Sequence, residues 1–139
     1  MPADQATHVV DANIVLAWSL DRPYTQKARE FLRGDAVYLV APDLIVHEVG
    51  SALSYYVRTG VLTLEQAEDA YLNLTTFVEL ISAVNLRLEA LRLSVSTGHS
   101  IYDCFYLALA RQTDRPCVSA DRKLASIAEA ERIDMILLT

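Results

Sequence analysis

The chain has 139 residues, a formal net charge of −6 and a hydrophobic fraction of 53%. This length and composition indicate one domain, residues 1–139, with enough apolar content for a core. They exclude a membrane-spanning helix, because no long uncharged apolar run occurs, and the acidic charge counts at first against a nucleic-acid partner.

Short β-rich runs alternate with longer helical patterns along the chain. We predict strands at residues 7–10, 37–41, 77–81, 116–119 and 135–138. We predict helices at residues 14–20, 24–34, 43–60, 63–76, 85–98, 100–111 and 121–132. Asp43, Thr63 and Ser100 are expected to cap three of these helices, and Gln66 completes a capping box with Thr63. The alternation predicts a three-layer α/β/α fold around a parallel five-stranded sheet, for which we expect the order 3-2-1-4-5.

Two acidic residues directly follow predicted strands. Asp11 comes after Val9-Val10 and is the only formally charged residue between Asp4 and Asp21. Asp121 follows the fourth strand. Each could simply cap the helix after it. In the expected sheet order, however, strands 1 and 4 flank the point where the chain reverses direction, and ligands bind in that crevice.

Two further acidic residues lie in predicted helices. Glu48 projects from the apolar face of the third helix, where a buried carboxylate needs a cation or a partner, unless it reaches solvent at the boundary. Asp103 is the only charge from Ile101 to Ala110. It could serve a capping box with Ser100 instead of a functional site. Carboxylates that meet in one crevice repel unless a cation joins them, and hard oxygen ligands favour Mg²⁺ or Mn²⁺.

These residues resemble the motifs of the PIN-domain family, and within it the VapC-type toxins of toxin–antitoxin pairs, over essentially the whole chain. The motifs are Val9-Val10-Asp11-Ala12-Asn13, Ala41-Pro42-Asp43-Leu44 leading to Glu48, Ile101-Tyr102-Asp103, and Cys117-Val118-Ser119-Ala120-Asp121. No single motif is specific, but four in order at suitable separations are. His47 stands where an aromatic residue is common, and Ser119 stands where Thr is more frequent.

The resemblance implies a Mg²⁺- or Mn²⁺-dependent endoribonuclease that hydrolyses RNA phosphodiester bonds. Its catalytic and metal-binding residues would be Asp11, Glu48, Asp103 and Asp121. Asn13 would orient Asp11 or a water, and Ser119 would support the site or contact phosphate.

The resemblance also implies partners. We expect a cognate antitoxin, with a helix lying across a groove formed by residues 24–33 and 52–58, and a homodimer.

Cys104 and Cys117 have no disulfide framework, and the N-terminus has no secretory pattern. We therefore expect the protein to lie in the cytoplasm, where its cysteines remain reduced.

The net charge becomes less of an objection once the site is considered. Setting the four acids aside leaves 14 of the 18 acidic residues against 12 Lys and Arg. RNA contacts could come from one of two basic groups. These are Arg22, Lys27, Arg29 and Arg33, or Arg122 and Lys123.

Two alternatives remain open. A phosphatase of the haloacid dehalogenase type also begins with an Asp after a strand, but it normally has a second Asp where this chain has Asn13. A non-catalytic interaction module could keep the fold and lose the activity, although the presence of all four acids argues against it.

Overall fold

A central parallel sheet organises the chain. The computed structural model describes residues 6–32 and 37–138, and its five strands have the order β3-β2-β1-β4-β5. The strands are β1 (Ala6–Val10), β2 (Val37–Pro42), β3 (Val78–Ile81), β4 (Cys117–Ser119) and β5 (Met135–Leu137). Every strand pair is parallel. The predicted fold class and strand order are therefore confirmed.

Helices connect the strands and cover the sheet. They are α1 (Ala12–Leu16), α2 (Thr25–Leu32), α3 (Ile45–Arg58), α4 (Leu64–Phe77), α5 (Arg87–Thr97), α6 (Ile101–Thr113) and α7 (Arg122–Ala130), with a 3₁₀ turn at Ala83–Leu86 before α5. No helix within residues 6–32 and 37–138 is long and apolar enough to cross a membrane.

β1 is the central strand of the sheet. Val9 and Val10 are fully buried. They pair with β2 on one side, where Val9 is opposite Val40, and with β4 on the other, where Val10 is opposite Val118. Continuous apolar strands of this kind are expected when both faces of a parallel sheet are covered.

One of the three predicted helix caps is present, and those at Asp43 and Ser100 are not. The capping box of Thr63 and Gln66 is present. Asp43, however, does not cap α3, which begins after Leu44 without a side-chain cap. Its carboxylate instead accepts a hydrogen bond from the backbone N–H of Ala83 at 3.1 Å. Ser100 precedes α6 but makes no side-chain capping bond.

The predicted end of α2 at Gly34, and Arg33 with it, lie outside the described residues. The other boundaries agree with the predictions to within a few residues.

The order of the strands determines where a binding site can form. β1 and β4 are neighbours, the chain reverses direction between them, and their carboxyl ends open onto one crevice.

Candidate active site

Asp11 lies directly after β1 and is 7% exposed. It is the N-cap of α1, and its Oδ1 accepts the backbone N–H of Ile14 at 3.1 Å. Its Oδ2 accepts a hydrogen bond from the hydroxyl of Ser119, the last residue of β4. The capping interpretation is therefore correct for Asp11, but the cap also holds the carboxylate against β4.

Asp121 is fixed in a similar way at the start of α7. Its Oδ1 accepts the backbone N–H groups of Lys123 at 2.9 Å and Leu124 at 3.2 Å. The N–H of Asp121 donates to Oγ of Ser119 at 3.0 Å. A single hydroxyl, that of Ser119, therefore links the two acids that end β1 and follow β4.

Asp103 lies in the first turn of α6 and is partly buried. The alternative of a capping box with Ser100 is not realised. Instead, Oδ2 of Asp103 is 2.8 Å from Nε2 of His99. Ligand atoms of His99, Asp103 and Asp121 lie within 4.8 Å of one another, a spacing that could hold a metal ion.

Glu48 is half-buried in the first turn of α3. Its Oε1 accepts a hydrogen bond of 2.6 Å from the hydroxyl of Tyr106. Tyr106 is 1% exposed and lies one turn after Asp103 on α6. Glu48 therefore lies at the boundary of the core, with one carboxylate oxygen held by a buried tyrosine.

Electrostatic coupling ties the four acids together. Burial raises the pKa of Asp11 to about 6, although hydrogen bonds from Ser119 and Ile14 lower it, and the charges of Asp103 and Asp121 raise it further. Burial also raises the pKa of Glu48. The Tyr106 hydrogen bond opposes that shift and the charge of Asp103 adds to it. Uncompensated negative charge of this kind is what a bound cation would relieve.

Sequence reasoning missed the roles of His99 and Tyr106. Neither residue is among the candidates that the sequence motifs single out. Tyr106 lies three residues after Asp103 on α6, a spacing that places two side chains near one helix face. His99 lies in the turn before α6, where helical spacing does not apply. Asn13 is exposed in α1. The hydrogen bonds that hold Asp11 come from Ile14 and Ser119.

A groove lies beside α1. Its volume is about 590 Å³, and its wall includes Trp18 and Phe77, whose rings are 5.3 Å apart. Arg29 of α2 and Asp69 of α4 also line it. Of residues 24–33 and 52–58, which were expected to form the antitoxin groove, Arg29 alone lines this one among the residues that the structure describes.

The amino-acid sequence matches a known family and a known protein. A family model of the PIN domain matches residues 8–130. Ribonuclease VapC3 from Pyrobaculum aerophilum is 28% identical over 120 residues, which cover 84% of this chain and 91% of that protein.

Two solved structures share the fold at low sequence identity. The crystal structure of PAE2754 from Pyrobaculum aerophilum has a TM-score of 0.68 at 21% identity, covering 88% of this chain and 86% of that one. VapBC2 from Rickettsia felis, bound to a DNA fragment from its promoter, has a TM-score of 0.67 at 14% identity. It covers 96% of this chain and 99% of that one.

Proposed function

Because the chain belongs to the PIN-domain family, we propose that it is a metal-dependent endoribonuclease and the toxin of a toxin–antitoxin pair. The observation that carries this proposal is that Asp103 and Asp121 have ligand atoms within 4.8 Å of each other and of His99. The charges of both acids act on Asp11, and the charge of Asp103 acts on Glu48. The relative named Ribonuclease VapC3 supports RNA as the substrate.

The residues fit a hard divalent cation. The donors are mainly carboxylate oxygens, the class that Mg²⁺ and Mn²⁺ prefer. Burial raises the pKa of Asp11, and the charges of Asp103 and Asp121 raise it further, so a cation held beside these acids would relieve the cost of ionising it. We assign Asp103 and Asp121 as the core of the cation site, with Asp11 and Glu48 completing it.

When bound, the cation would supply Lewis-acid polarisation of the scissile phosphate and a water of lowered pKa. The residues of the chain would position the reacting groups. Ser119 holds Asp11 and the backbone of Asp121, and Tyr106 holds one oxygen of Glu48. Asn13 remains the residue that we assign to orient Asp11 or the attacking water.

RNA would reach this site past nearby cations. Arg122 and Lys123 are exposed in the first turn of α7, directly after Asp121. On the other side, Arg22 lies 5.2 Å from the ring centre of Tyr56. The charges of Arg22 and Asp11 both act on the pKa of Tyr24, so each of them lies close enough to that tyrosine to affect it.

The family and its solved relatives support a protein partner as well. A toxin–antitoxin complex from Klebsiella pneumoniae shares the fold, with a TM-score of 0.62. We propose that the groove lined by Trp18, Arg29, Asp69 and Phe77 receives a helix of the antitoxin, and that the protein is a homodimer. Co-purification with the product of a small adjacent reading frame, and light scattering of the free protein, test these two proposals.

The activity itself has a direct test. Structured RNA is incubated with the protein and Mg²⁺, with and without EDTA, beside Asp11→Asn and the control Asp134→Asn. Asp134 is exposed at the amino end of β5, away from the crevice. Without EDTA, we expect the wild type and Asp134→Asn to cleave the RNA and Asp11→Asn to leave it intact. With EDTA, we expect no cleavage by any of the three proteins.

Other results would point elsewhere. Cleavage that survives both EDTA and Asp11→Asn would exclude the metal-nuclease mechanism. Release of phosphate from small monoesters with intact RNA would favour the phosphatase alternative. Loss of every activity, with partner binding retained, would favour the interaction module.

A further inference from the structure

His99 is buried in the turn between α5 and α6. It is 8% exposed and follows Gly98, whose φ of 70° ends α5 in the left-handed conformation. The hydroxyl of Ser94 donates to the carbonyl of His99 at 2.7 Å. The N–H of His99 donates to Oγ1 of Thr97 at 3.3 Å. The end of α5 therefore fixes where the imidazole ring lies.

The two ring nitrogens of His99 have different surroundings. Nε2 is 2.8 Å from Oδ2 of Asp103. Nδ1 is buried without a hydrogen-bond partner, the only such side-chain atom within residues 6–32 and 37–138. An ionised carboxylate can only accept, so Nε2 carries the proton. A buried N–H at Nδ1 would have no acceptor, which favours the same tautomer.

This tautomer bears on metal binding. A protonated ring nitrogen has no lone pair to give a cation, so Nε2 acts on the site through Asp103. Carboxylates that bind metals are commonly oriented by a hydrogen bond to one oxygen, which leaves the other for the ion. Asp103 needs such support because its side chain is 35% exposed and would otherwise be free to rotate.

We propose that His99 is a positioning residue that holds Oδ2 of Asp103 and thereby presents Oδ1, together with Asp121, to the divalent cation. This inference rests on the proposed function. Its observational basis is the 2.8 Å contact between Nε2 of His99 and Oδ2 of Asp103, together with the buried, unpartnered Nδ1 of the same ring. A ligand atom of Asp121 lies within 4.8 Å of this pair. His99 neither binds the ion nor touches the substrate.

The test compares two variants of similar shape. His99→Gln keeps an N–H donor at about the distance of Nε2, whereas His99→Met fills a similar volume without a donor. Mn²⁺ binding to the metal-free protein is measured by the loss of the free-ion electron paramagnetic resonance signal. His47→Leu, an exposed position on α3, controls for the loss of a histidine, and Asp103→Asn controls for the loss of the site.

We expect His99→Met to weaken Mn²⁺ binding by about 10–100-fold and His99→Gln to remain within about 3-fold of the wild type. Thermal unfolding in EDTA shows whether each variant is folded. A measurement on the wild type does not depend on any variant: electron spin echo modulation of bound Mn²⁺ should show no directly coordinated nitrogen.

Each contrary outcome has a separate meaning. If Asp103→Asn loses Mn²⁺ but His99→Met binds as tightly as the wild type, the role of His99 is wrong and the proposed function stands. A directly coordinated nitrogen would also overturn the positioning role, because His99 would then be a ligand. A wild type that neither binds Mn²⁺ nor cleaves RNA would overturn both proposals.

Discussion

The hydroxyl of Ser119 donates to Oδ2 of Asp11 and accepts the backbone N–H of Asp121, although Ser119 and Asp11 are 108 residues apart in the sequence. Ser119 is fully buried. One small side chain at the end of β4 therefore sets the relative position of the two acids that the sheet brings to the crevice. Its hydroxyl, rather than its size, should decide how well the site works.

Ser119→Ala should destabilise the folded protein and weaken the site. The change leaves Oδ2 of Asp11 buried without its donor, which costs about 1–3 kcal/mol of unfolding free energy. Ser119→Thr keeps the hydroxyl and should retain most of the activity. Urea unfolding and RNA cleavage of both variants provide the check, and equal behaviour of Ala and Thr would show that the hydroxyl does not matter.

Asp11→Asn should stabilise the metal-free protein at neutral pH while abolishing cleavage. Burial raises the folded-state pKa of Asp11 to about 6, against an ordinary value of 3.8. Between these values the folded state binds more protons than the unfolded state, so stability falls as pH rises through the window. The full penalty, on the order of 3 kcal/mol, applies above about pH 6.

Urea unfolding of the wild type and Asp11→Asn in EDTA, from pH 4 to pH 8, measures this contribution. We expect the two curves to meet near pH 4 and to separate as pH rises, with the variant more stable. Mn²⁺ should then favour the wild type, because an ion that binds only the folded state stabilises it. Curves that stay parallel across the range would contradict the assignment to Asp11.

Tyr106→Phe should reduce Mn²⁺ affinity by about 10-fold, the lower end for losing a group that orients a ligand. The ring remains packed, but Oε1 of Glu48 loses the donor 2.6 Å away. That hydrogen bond lowers the pKa of Glu48, so its removal should shift the acidic limb of the pH–rate profile upward. Tyr102→Phe, at an exposed position on the same helix, should change neither quantity.

The double variant Arg122→Ala, Lys123→Ala should weaken RNA binding at all sequences tested. The salt dependence of the binding constant should flatten by about two counterions, because two phosphate contacts are lost. Arg92→Ala is the matched control. Arg92 is exposed on α5, close to Arg111 and Glu131 at the far ends of α6 and α7. An equal effect of the control would show a general charge effect only.

Much of the fold was predictable because the hydrophobic pattern of each strand or helix depends only on residues close together in the sequence. All five strands were predicted, and the strand order that we expected for a parallel sheet is the one observed. Capping was less predictable. The carboxylate of Asp43 accepts the N–H of Ala83, 40 residues away, and no local pattern contains that partner.

The candidate site divides in the same way. Asp11 and Asp121 could be predicted because they follow strands whose ends form the crevice. Their role as helix caps does not alter that position. The supports of Glu48 and Asp103 were not readable, because Tyr106 and His99 look like ordinary residues of an apolar helix and its preceding turn. Tyr106 meets Glu48, which is 58 residues away in the sequence, and His99 meets Asp103 because of the way the turn after α5 places its ring.

The order of the strands also sets when the protein can become active during its synthesis. β4 lies beside β1 in the sheet, yet the ribosome makes it more than 100 residues later. Until Ser119 and Asp121 have emerged and folded, Asp11 has neither its hydrogen-bond donor nor its acidic neighbour. On the proposed function, a nascent chain would therefore remain harmless to the RNA around it through most of translation, and toxicity would arise only with the last elements.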